Sequence, residues 1–169
     1  SVQRVRAAIA TWTLGPLPSI QLGAITLHPH QADAVARLRL LLDEHRVALL
    51  ADDVGLGKTY VAIAIAREAA SPVILAPAGL RSTWVAALAR TGMSAPFFSI
   101  ESLAYSVPQV TPDLVIVDEA HHLRNSSTRR FAAAAALCCT PRVLLLTATP
   151  VQNRLGDLHA LLSLVIRGH

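Results

Sequence analysis

Residues 47–59 read VALLADDVGLGKT, an apolar run followed by a glycine-containing loop and the start of a helical pattern. A strand, a glycine loop and a helix in this order form the unit from which α/β proteins are built. The glycines let loop amides point inward, and the amino end of the following helix attracts negative charge. Lys58 can reach the outer phosphates of a nucleotide, and the Thr59 hydroxyl can bind Mg²⁺. The segment therefore predicts a phosphate-binding loop (Walker A).

Two features of this loop bear on how specific the signal is. Asp52 stands where the general pattern has its first glycine, so a plain glycine turn between strand and helix stays an alternative. Lys58 is the only lysine among the 15 basic residues, which are otherwise arginine. A compact ammonium on a flexible stem suits phosphate, so this exception favours the phosphate-binding interpretation.

Short apolar runs alternate with helical patterns along the rest of the chain. The runs lack polar alternation, as expected when helices cover both faces of a parallel sheet. Strands are expected at residues 47–51, 73–76, 96–100, 114–117 and 143–146. Helices are expected at residues 30–42, 58–70, 82–90, 128–139 and 155–166. This order predicts an α/β fold, a three-layer, doubly wound and mainly parallel sheet whose ligands bind at the carboxyl ends of the strands.

Length and composition limit the possible classes of protein. The chain has 169 residues, of which 53% are hydrophobic and 15% charged, so a disordered protein is excluded. Residues 1–26 have no regular pattern and are expected to form a lead-in of short helix and loop to one domain at 27–169. Glycine and proline interrupt the longest uncharged stretch, so no membrane span is expected. Cys138 and Cys139 are adjacent, and both are expected to be reduced core residues.

An acidic pair follows one of the expected strands, in the stretch DLVIVDEAHH at residues 113–122. Asp118 is suited to hold hydrated Mg²⁺, and Glu119 to orient or deprotonate a water molecule, as phosphoryl transfer from ATP requires. A transition-metal site of Asp118, Glu119, His121 and His122 is a weaker alternative, because consecutive residues cannot easily converge on one ion. A solvated acidic turn explains one carboxylate alone better than both beside a phosphate loop.

Five segments in order resemble the superfamily-two helicase and translocase ATPases, specifically the Swi/Snf type with its bacterial RapA-like branch. They are LHPHQ at 27–31, DDVGLGKT at 52–59, VILAPAGLRSTW at 73–84, DEAHHLRN (a DEAH box) at 118–125 and LLLTATPVQN at 144–153. The TAT at 147–149 differs from the glycine-centred version commonest in chromatin remodellers and favours bacterial or helicase-like relatives. The resemblance implies a RecA-like P-loop NTPase lobe that uses ATP and Mg²⁺.

The resemblance also implies roles for residues of the nucleotide site. Gln31 would contact adenine, Asp118 would hold Mg²⁺ together with Thr59, and Glu119 would act on the attacking water. The implied catalytic residues are Lys58, Asp118 and Glu119. The implied nucleotide-binding residues are Gln31, Asp53, Val54, Gly55, Leu56, Gly57, Lys58 and Thr59.

Coupling and nucleic-acid contacts are implied in the same way. His121 would bond toward Thr147 or Thr149 and so link hydrolysis to motion. The net charge of +4 permits nucleic acid as a partner. A solvated helix face explains any single arginine equally well, and Trp84 is expected in the core rather than stacked on a base. The implied contacts to the nucleic-acid backbone are Gly79, Arg81, Ser82, Thr83 and Arg124.

In the resembled family ATP lies between two RecA-like lobes, and the second lobe supplies arginine fingers and half of the DNA path. The chain is therefore expected to be the first lobe of a DNA-dependent ATPase that translocates on duplex DNA or remodels complexes on it, in the bacterial cytosol or nucleoid. As an isolated lobe it is expected to be monomeric and nearly inactive. A second hypothesis is a non-catalytic module that binds a protein partner in one nucleotide state, with binding that survives Glu119→Gln.

Overall fold

The computed structural model describes residues 19–51, 55–148 and 163–165. Some sequence predictions lie outside these ranges: the lead-in before residue 19, Asp53 and Val54 of the phosphate loop, Thr149, and most of the helix expected at 155–166. Residues 163–165 of that helix are described and are helical.

The described part of the chain begins with a hairpin that the sequence pattern does not predict. Its antiparallel strands are β1 (Gln21–Leu22) and β2 (Ile25–Thr26), where a short helix and loop are expected from the sequence. Gly23 forms the turn with φ 57°, and a Cβ atom there would lie 2.9 Å from the backbone oxygen of Arg90. The hairpin packs against the core through Leu22, which is buried. Two-residue strands carry too little periodicity to be recognised in sequence.

A parallel sheet forms the centre of the fold. Its described strands are β3 (Val47–Ala51), β4 (Pro72–Ala76), β5 (Phe97–Ser99), β6 (Leu114–Val117) and β7 (Arg142–Thr147). Their spatial order is β3-β7-β6-β4-β5, and each neighbouring pair is parallel. All the expected strands are confirmed within a residue at each end. The order puts β7 between the strand before the phosphate loop and the strand before the acidic pair.

Helices cover both faces of this sheet, which confirms the expected α/β layers. The described α-helices are α1 (Pro29–His45), α2 (Lys58–Ala66), α3 (Arg81–Thr91) and α4 (Arg129–Cys138). Side chains of α1, α2 and α3 form one core with Ile74 and Ile116 of the strands. Those of α4 form a second core with Val115 and Val117, on the opposite face. Because successive side chains of a strand point to opposite faces, each buried strand contributes side chains to both cores, and its sequence is a continuous apolar run.

Two local predictions are corrected. The helix expected at 58–70 ends at Ala66, followed by a turn that leads into β4. Cys138 is buried, and burial raises the pKa of its thiol to about 12. Cys139, in contrast, is exposed and not a core residue. Successive helical residues point about 100° apart, so neighbours at the end of α4 need not share its buried face.

Within the described ranges, no helix combines the length and apolar character needed to cross a membrane.

Candidate functional site

The sequence-predicted site residues lie at the carboxyl ends of β3, β6 and β7. The phosphate loop follows β3, the acidic pair follows β6, and Thr147 is the last residue of β7. Because the three strands are parallel neighbours, their carboxyl ends open on the same edge of the sheet. Lys58 lies close enough to Asp118 for its charge to act against the rise in the pKa of that carboxyl. The topology therefore brings the ammonium and the acidic pair together.

The described end of the phosphate loop has the backbone that an anion cradle requires. Gly55 and Gly57 have φ values of 90° and 77°, in the left-handed region that favours glycine. Gly57 is the residue before α2, so its left-handed turn leads directly into the first amides of that helix. The first four N–H groups of a helix have no partner within the helix, and its dipole adds positive charge there. Gly55, Leu56, Lys58 and Thr59 are all at least partly accessible to solvent.

Gln31 contacts the phosphate loop directly. Its side-chain Nε2 donates to the backbone oxygen of Leu56 at 3.0 Å, and its Oε1 accepts the N–H of His28 at 2.9 Å. The N–H of Gln31 in turn donates to the backbone oxygen of His28 at 2.9 Å, so the two residues are bonded to each other at the start of α1. Gln31 is buried, at 7% exposure. The structure thus places this glutamine at the loop.

Asp118 is a buried carboxylate held by two donors. Oδ2 accepts the indole N–H of Trp84 at 2.9 Å, and Oδ1 accepts the backbone N–H of Glu119 at the same distance. Burial raises the pKa of Asp118, and the two hydrogen bonds and the charge of Lys58 oppose this rise. Trp84 is 1% exposed, which confirms its expected place in the core. Sequence reasoning missed its hydrogen bond to Asp118, because 34 residues separate the partners.

Glu119, His121 and Thr147 form a chain of polar contacts beside Asp118. Glu119 has φ 49°, an uncommon value for a residue with a side chain, which turns the chain sharply after β6. Its Oε2 lies 3.2 Å from Nδ1 of His121, and the same nitrogen lies 3.5 Å from Oγ1 of Thr147. Nδ1 of His121 therefore lies between the Glu119 carboxylate and the Thr147 hydroxyl. Burial is the main cause that lowers the pKa of His121, which favours the neutral ring.

The residues expected to contact nucleic acid lie at the surface, but some groups of this segment also bond within the protein. Gly79, Ser82, Thr83 and Arg124 are exposed. Arg81 is exposed too, but its guanidinium lies 4.5 Å from the centre of the Phe97 ring in a cation–π contact. The N–H of Ala78, the residue before Gly79, donates to the Glu101 carboxylate at 3.0 Å.

The donor set fits Mg²⁺ better than a transition metal. The described residues contain no group of three or more His, Cys, Asp or Glu that could hold a metal by themselves. Mg²⁺ prefers oxygen ligands and is commonly bound by one or two protein groups, waters and substrate phosphates. Thr59 and Asp118 supply such oxygens, and Asp118 is fixed by protein donors. The weaker alternative of a four-residue transition-metal site is therefore not supported by the described geometry.

Comparisons with known proteins identify the relatives of the chain. Residues 99–169 match the SNF2-related domain family. The chain is 33% identical to the uncharacterized ATP-dependent helicase YqhH of Bacillus subtilis, over 89% of the chain and 31% of that protein. It is 32% identical to the SWI/SNF-related matrix-associated actin-dependent regulator of chromatin subfamily A-like protein 1 of Xenopus tropicalis, over 82% of the chain and 17% of that protein. The chain thus spans less than a third of either relative.

A solved structure has the same fold. The SWI2/SNF2 ATPase core of Sulfolobus solfataricus, in complex with double-stranded DNA, superposes with a TM-score of 0.78 at 21% identity. The match covers 90% of this chain and 38% of that chain. At this identity the match shows that the two folds agree.

Proposed function

Because the chain carries an SNF2-related domain and is homologous to ATP-dependent helicases and SWI/SNF ATPases, we propose that it is the ATP-binding lobe of a DNA-dependent ATPase. In this proposal, ATP hydrolysis drives translocation on duplex DNA or remodelling of complexes bound to it. The single observation that carries the proposal is the convergence of Lys58 with the acidic pair Asp118 and Glu119 at one edge of the sheet.

Each residue of the site has a task in this reaction. The loop amides from Gly55 onward and the Lys58 ammonium bind and orient the phosphates. Thr59 and Asp118 hold Mg²⁺, which supplies charge neutralisation on the phosphate oxygens when it is bound. Glu119 orients the attacking water and accepts its proton, a role that its partly accessible carboxylate, next to the buried Asp118, allows.

The contact chain from Glu119 through His121 to Thr147 supports a coupling role. A change at Glu119 during hydrolysis would alter its 3.2 Å contact with His121, and His121 also faces the end of β7. β7 lies between β3 and β6 in the sheet, and the chain continues beyond it toward Thr149. We propose that nucleotide state is passed along this strand to the DNA-binding part of the motor.

Duplex DNA and a second RecA-like lobe are the proposed partners. The structural relative is described in complex with double-stranded DNA, and the chain presents exposed groups at Gly79, Ser82, Thr83 and Arg124. An arginine from a second lobe would complete the charge stabilisation, which is worth about three to five orders of magnitude in rate in related phosphoryl-transfer enzymes. The lobe alone would therefore bind nucleotide as a monomer and hydrolyse it very slowly. We place this activity in the bacterial cytosol or nucleoid.

Equilibrium binding of a fluorescent ATP analogue tests the nucleotide site. Lys58→Ala should weaken binding at least tenfold, because the only lysine of the chain is the proposed phosphate ligand. Arg90→Ala removes an exposed cation at the end of α3 and is the matched control, expected to bind as the wild type does. Equal binding by wild type and Lys58→Ala would overturn the proposal.

Glu119→Gln separates hydrolysis from binding. The variant chain should bind ATP with wild-type affinity. In a protein that joins the chain to the proposed second lobe, it should lose about a hundredfold or more in DNA-stimulated turnover, since only the water-activating oxygen is changed. Turnover that survives Glu119→Gln would show that Glu119 has no catalytic role. Binding of a protein partner that depends on ATP and persists in this variant would instead support a non-catalytic module.

A further inference from the structure

The proposed function leaves one buried polar contact beside the metal ligand unexplained. The indole Nε1 of Trp84 donates to Oδ2 of Asp118 at 2.9 Å. Trp84 is 1% exposed and Asp118 is 7% exposed, so water competes little for this bond. Hydrogen bonds to an ionised acceptor are shorter and stronger than neutral ones, and low exposure strengthens them further.

This contact fixes the orientation of the carboxylate as a whole. The other oxygen of Asp118 accepts the backbone N–H of Glu119 at 2.9 Å, so each oxygen has one protein donor. A carboxylate has about four lone-pair sites, and two donors on different oxygens leave lone pairs on both for a cation. With both oxygens anchored, the carboxylate plane cannot rotate freely away from the phosphate side.

A tryptophan that only fills the core also needs an acceptor for its buried indole N–H, because such a group is costly to leave unbonded. The acceptor in this structure is the proposed metal ligand itself, across 34 residues of sequence. Trp84 lies in α3, directly after the exposed Ser82 and Thr83 of the segment proposed to contact DNA. The indole therefore joins that helix to the metal ligand.

We propose that Trp84 is a positioning residue of the nucleotide site, which holds the Asp118 carboxylate in the orientation that binds the divalent cation of the metal–nucleotide complex. The inference rests on the proposed function. The inference goes beyond the proposed function because it gives a core side chain the task of orienting the metal ligand, which neither Lys58 nor Glu119 performs. Partners that orient a metal ligand typically contribute about ten- to hundredfold in metal affinity or activity.

The test compares nucleotide binding with and without the cation. A fluorescent ADP analogue is titrated into the chain in excess Mg²⁺ and again in EDTA. Trp84→Phe removes the N–H donor and keeps an aromatic ring. We expect its affinity to fall about tenfold or more in Mg²⁺ and to change less than about twofold in EDTA, with a higher Mg²⁺ concentration needed for half-maximal binding.

A second variant separates the hydrogen bond from packing. Site-specific replacement of Trp84 by 3-benzothienylalanine exchanges the N–H for sulfur and keeps the bicyclic shape. It should reproduce the Mg²⁺-specific loss, while its affinity for the ADP analogue in EDTA stays within about twofold of that of the wild type. Phe131→Leu trims an equally buried side chain in the core on the other face of the sheet and controls for general loosening.

The outcomes distinguish this inference from the proposed function. Equal losses in Mg²⁺ and EDTA, or wild-type Mg²⁺ dependence in the benzothienyl variant, would overturn the positioning role and leave the nucleotide site intact. A wild-type chain that binds nucleotide equally with and without Mg²⁺ would overturn it as well. A wild-type chain that binds no nucleotide would overturn both.

Discussion

The side-chain amide of Gln31 bonds the start of α1 to the phosphate loop, through the 3.0 Å contact between its Nε2 and the backbone oxygen of Leu56. The opposite end of the same amide accepts the N–H of His28. Both ends of this buried side chain are therefore bonded to backbone in the structure. The contact of Gln31 with adenine that the family resemblance implies stays a prediction.

Gln31→Glu tests the link to the loop. A glutamate keeps the acceptor for His28 but turns a carboxylate oxygen toward the carbonyl of Leu56, where the two acceptors repel. We expect nucleotide affinity to fall about tenfold, equivalent to about 1.4 kcal/mol, as measured by titration of a fluorescent analogue.

The matched control is Gln21→Glu in the hairpin. Gln21 also donates to a backbone oxygen, that of Gly23 at 2.9 Å, but it lies outside the site. Its replacement should leave nucleotide affinity unchanged. Wild-type affinity in Gln31→Glu, or the same loss in both variants, would contradict a role of Gln31 in shaping the loop.

A comparison of two glycines separates backbone strain from collision. Gly57 has φ 77°, and a Cβ atom there would lie 2.3 Å from Nε2 of Gln31. Gly55 has φ 90°, and a Cβ atom there would meet nothing within 4 Å. Gly55→Ala should cost about 1 kcal/mol of unfolding free energy through strain alone, and Gly57→Ala about 1 kcal/mol more.

The double variant Gly57→Ala/Gln31→Ala checks this interpretation by urea denaturation. Removing the Gln31 side chain relieves the collision. The double variant should therefore lose about 1 kcal/mol less unfolding free energy than the two single variants lose together. Strict additivity would show that Gly57 is needed only for its left-handed backbone.

The strand and helix pattern was predictable from sequence because the strands are buried on both faces. Val115 and Ile116 point to opposite cores, yet both are apolar, so the run at β6 is recognisable without any knowledge of its neighbours. The glycine loop between β3 and α2 was recognisable for a similar reason, since its glycines and lysine are close together in the chain; its binding of phosphate stays a prediction. Both signals are local.

The parts that could not be predicted depend on contacts between distant segments. The bond from Trp84 to Asp118 arises because β4, which precedes α3, pairs directly with β6, and no property of either residue alone indicates it. The pairing of Arg81 with Phe97 and of Ala78 with Glu101 is similar. From the sequence, the segment around Arg81 was predicted to contact nucleic acid, and its contacts within the protein were not foreseen.

Asp118→Asn should separate stability from activity. Burial raises the pKa of Asp118 in the folded chain, so its contribution to stability is greatest below the unfolded pKa and is lost as pH rises through the folded pKa. At neutral pH the ionised carboxylate therefore costs stability. Asp118→Asn removes this pH-dependent cost but leaves one of the two N–H donors without an acceptor. We therefore expect the Tm of the variant, relative to that of the wild type, to rise with pH, while Mg²⁺-dependent nucleotide binding is lost.

The pH dependence of that difference provides the check. On acidification the Tm of the variant should fall relative to that of the wild type, because the wild-type carboxyl becomes protonated and its burial no longer costs stability. A Tm difference that stays the same at all pH values would mean that folding does not raise the pKa of Asp118.

Asp113 should show the opposite pH dependence. Its oxygens accept the backbone N–H groups of Ala70 and Ser71, each at 2.8 Å, and so join the residues before β4 to the start of β6. Burial acts to raise the pKa of Asp113, but these bonds, with that of its own amide and the Ser71 hydroxyl, outweigh it and lower the pKa. The carboxylate therefore stabilises the fold above the unfolded pKa, and this stability is lost as pH falls through the folded pKa.

Asp113→Asn replaces one acceptor oxygen by an amide that cannot accept, so one backbone N–H loses its partner. We expect a loss of about 1 kcal/mol of unfolding free energy at pH 7, the lower part of the usual range because the site is partly exposed. In urea denaturation the loss should be constant above about pH 5 and should shrink as pH falls through the folded pKa, which lies below the usual value of an aspartate. Asp43→Asn, at a side chain 72% exposed and 3.7 Å from Arg142, is the control and should change stability by less than about 0.5 kcal/mol. A loss in Asp113→Asn that stays the same in acid would mean that the charge of the carboxylate contributes nothing to the free energy of unfolding.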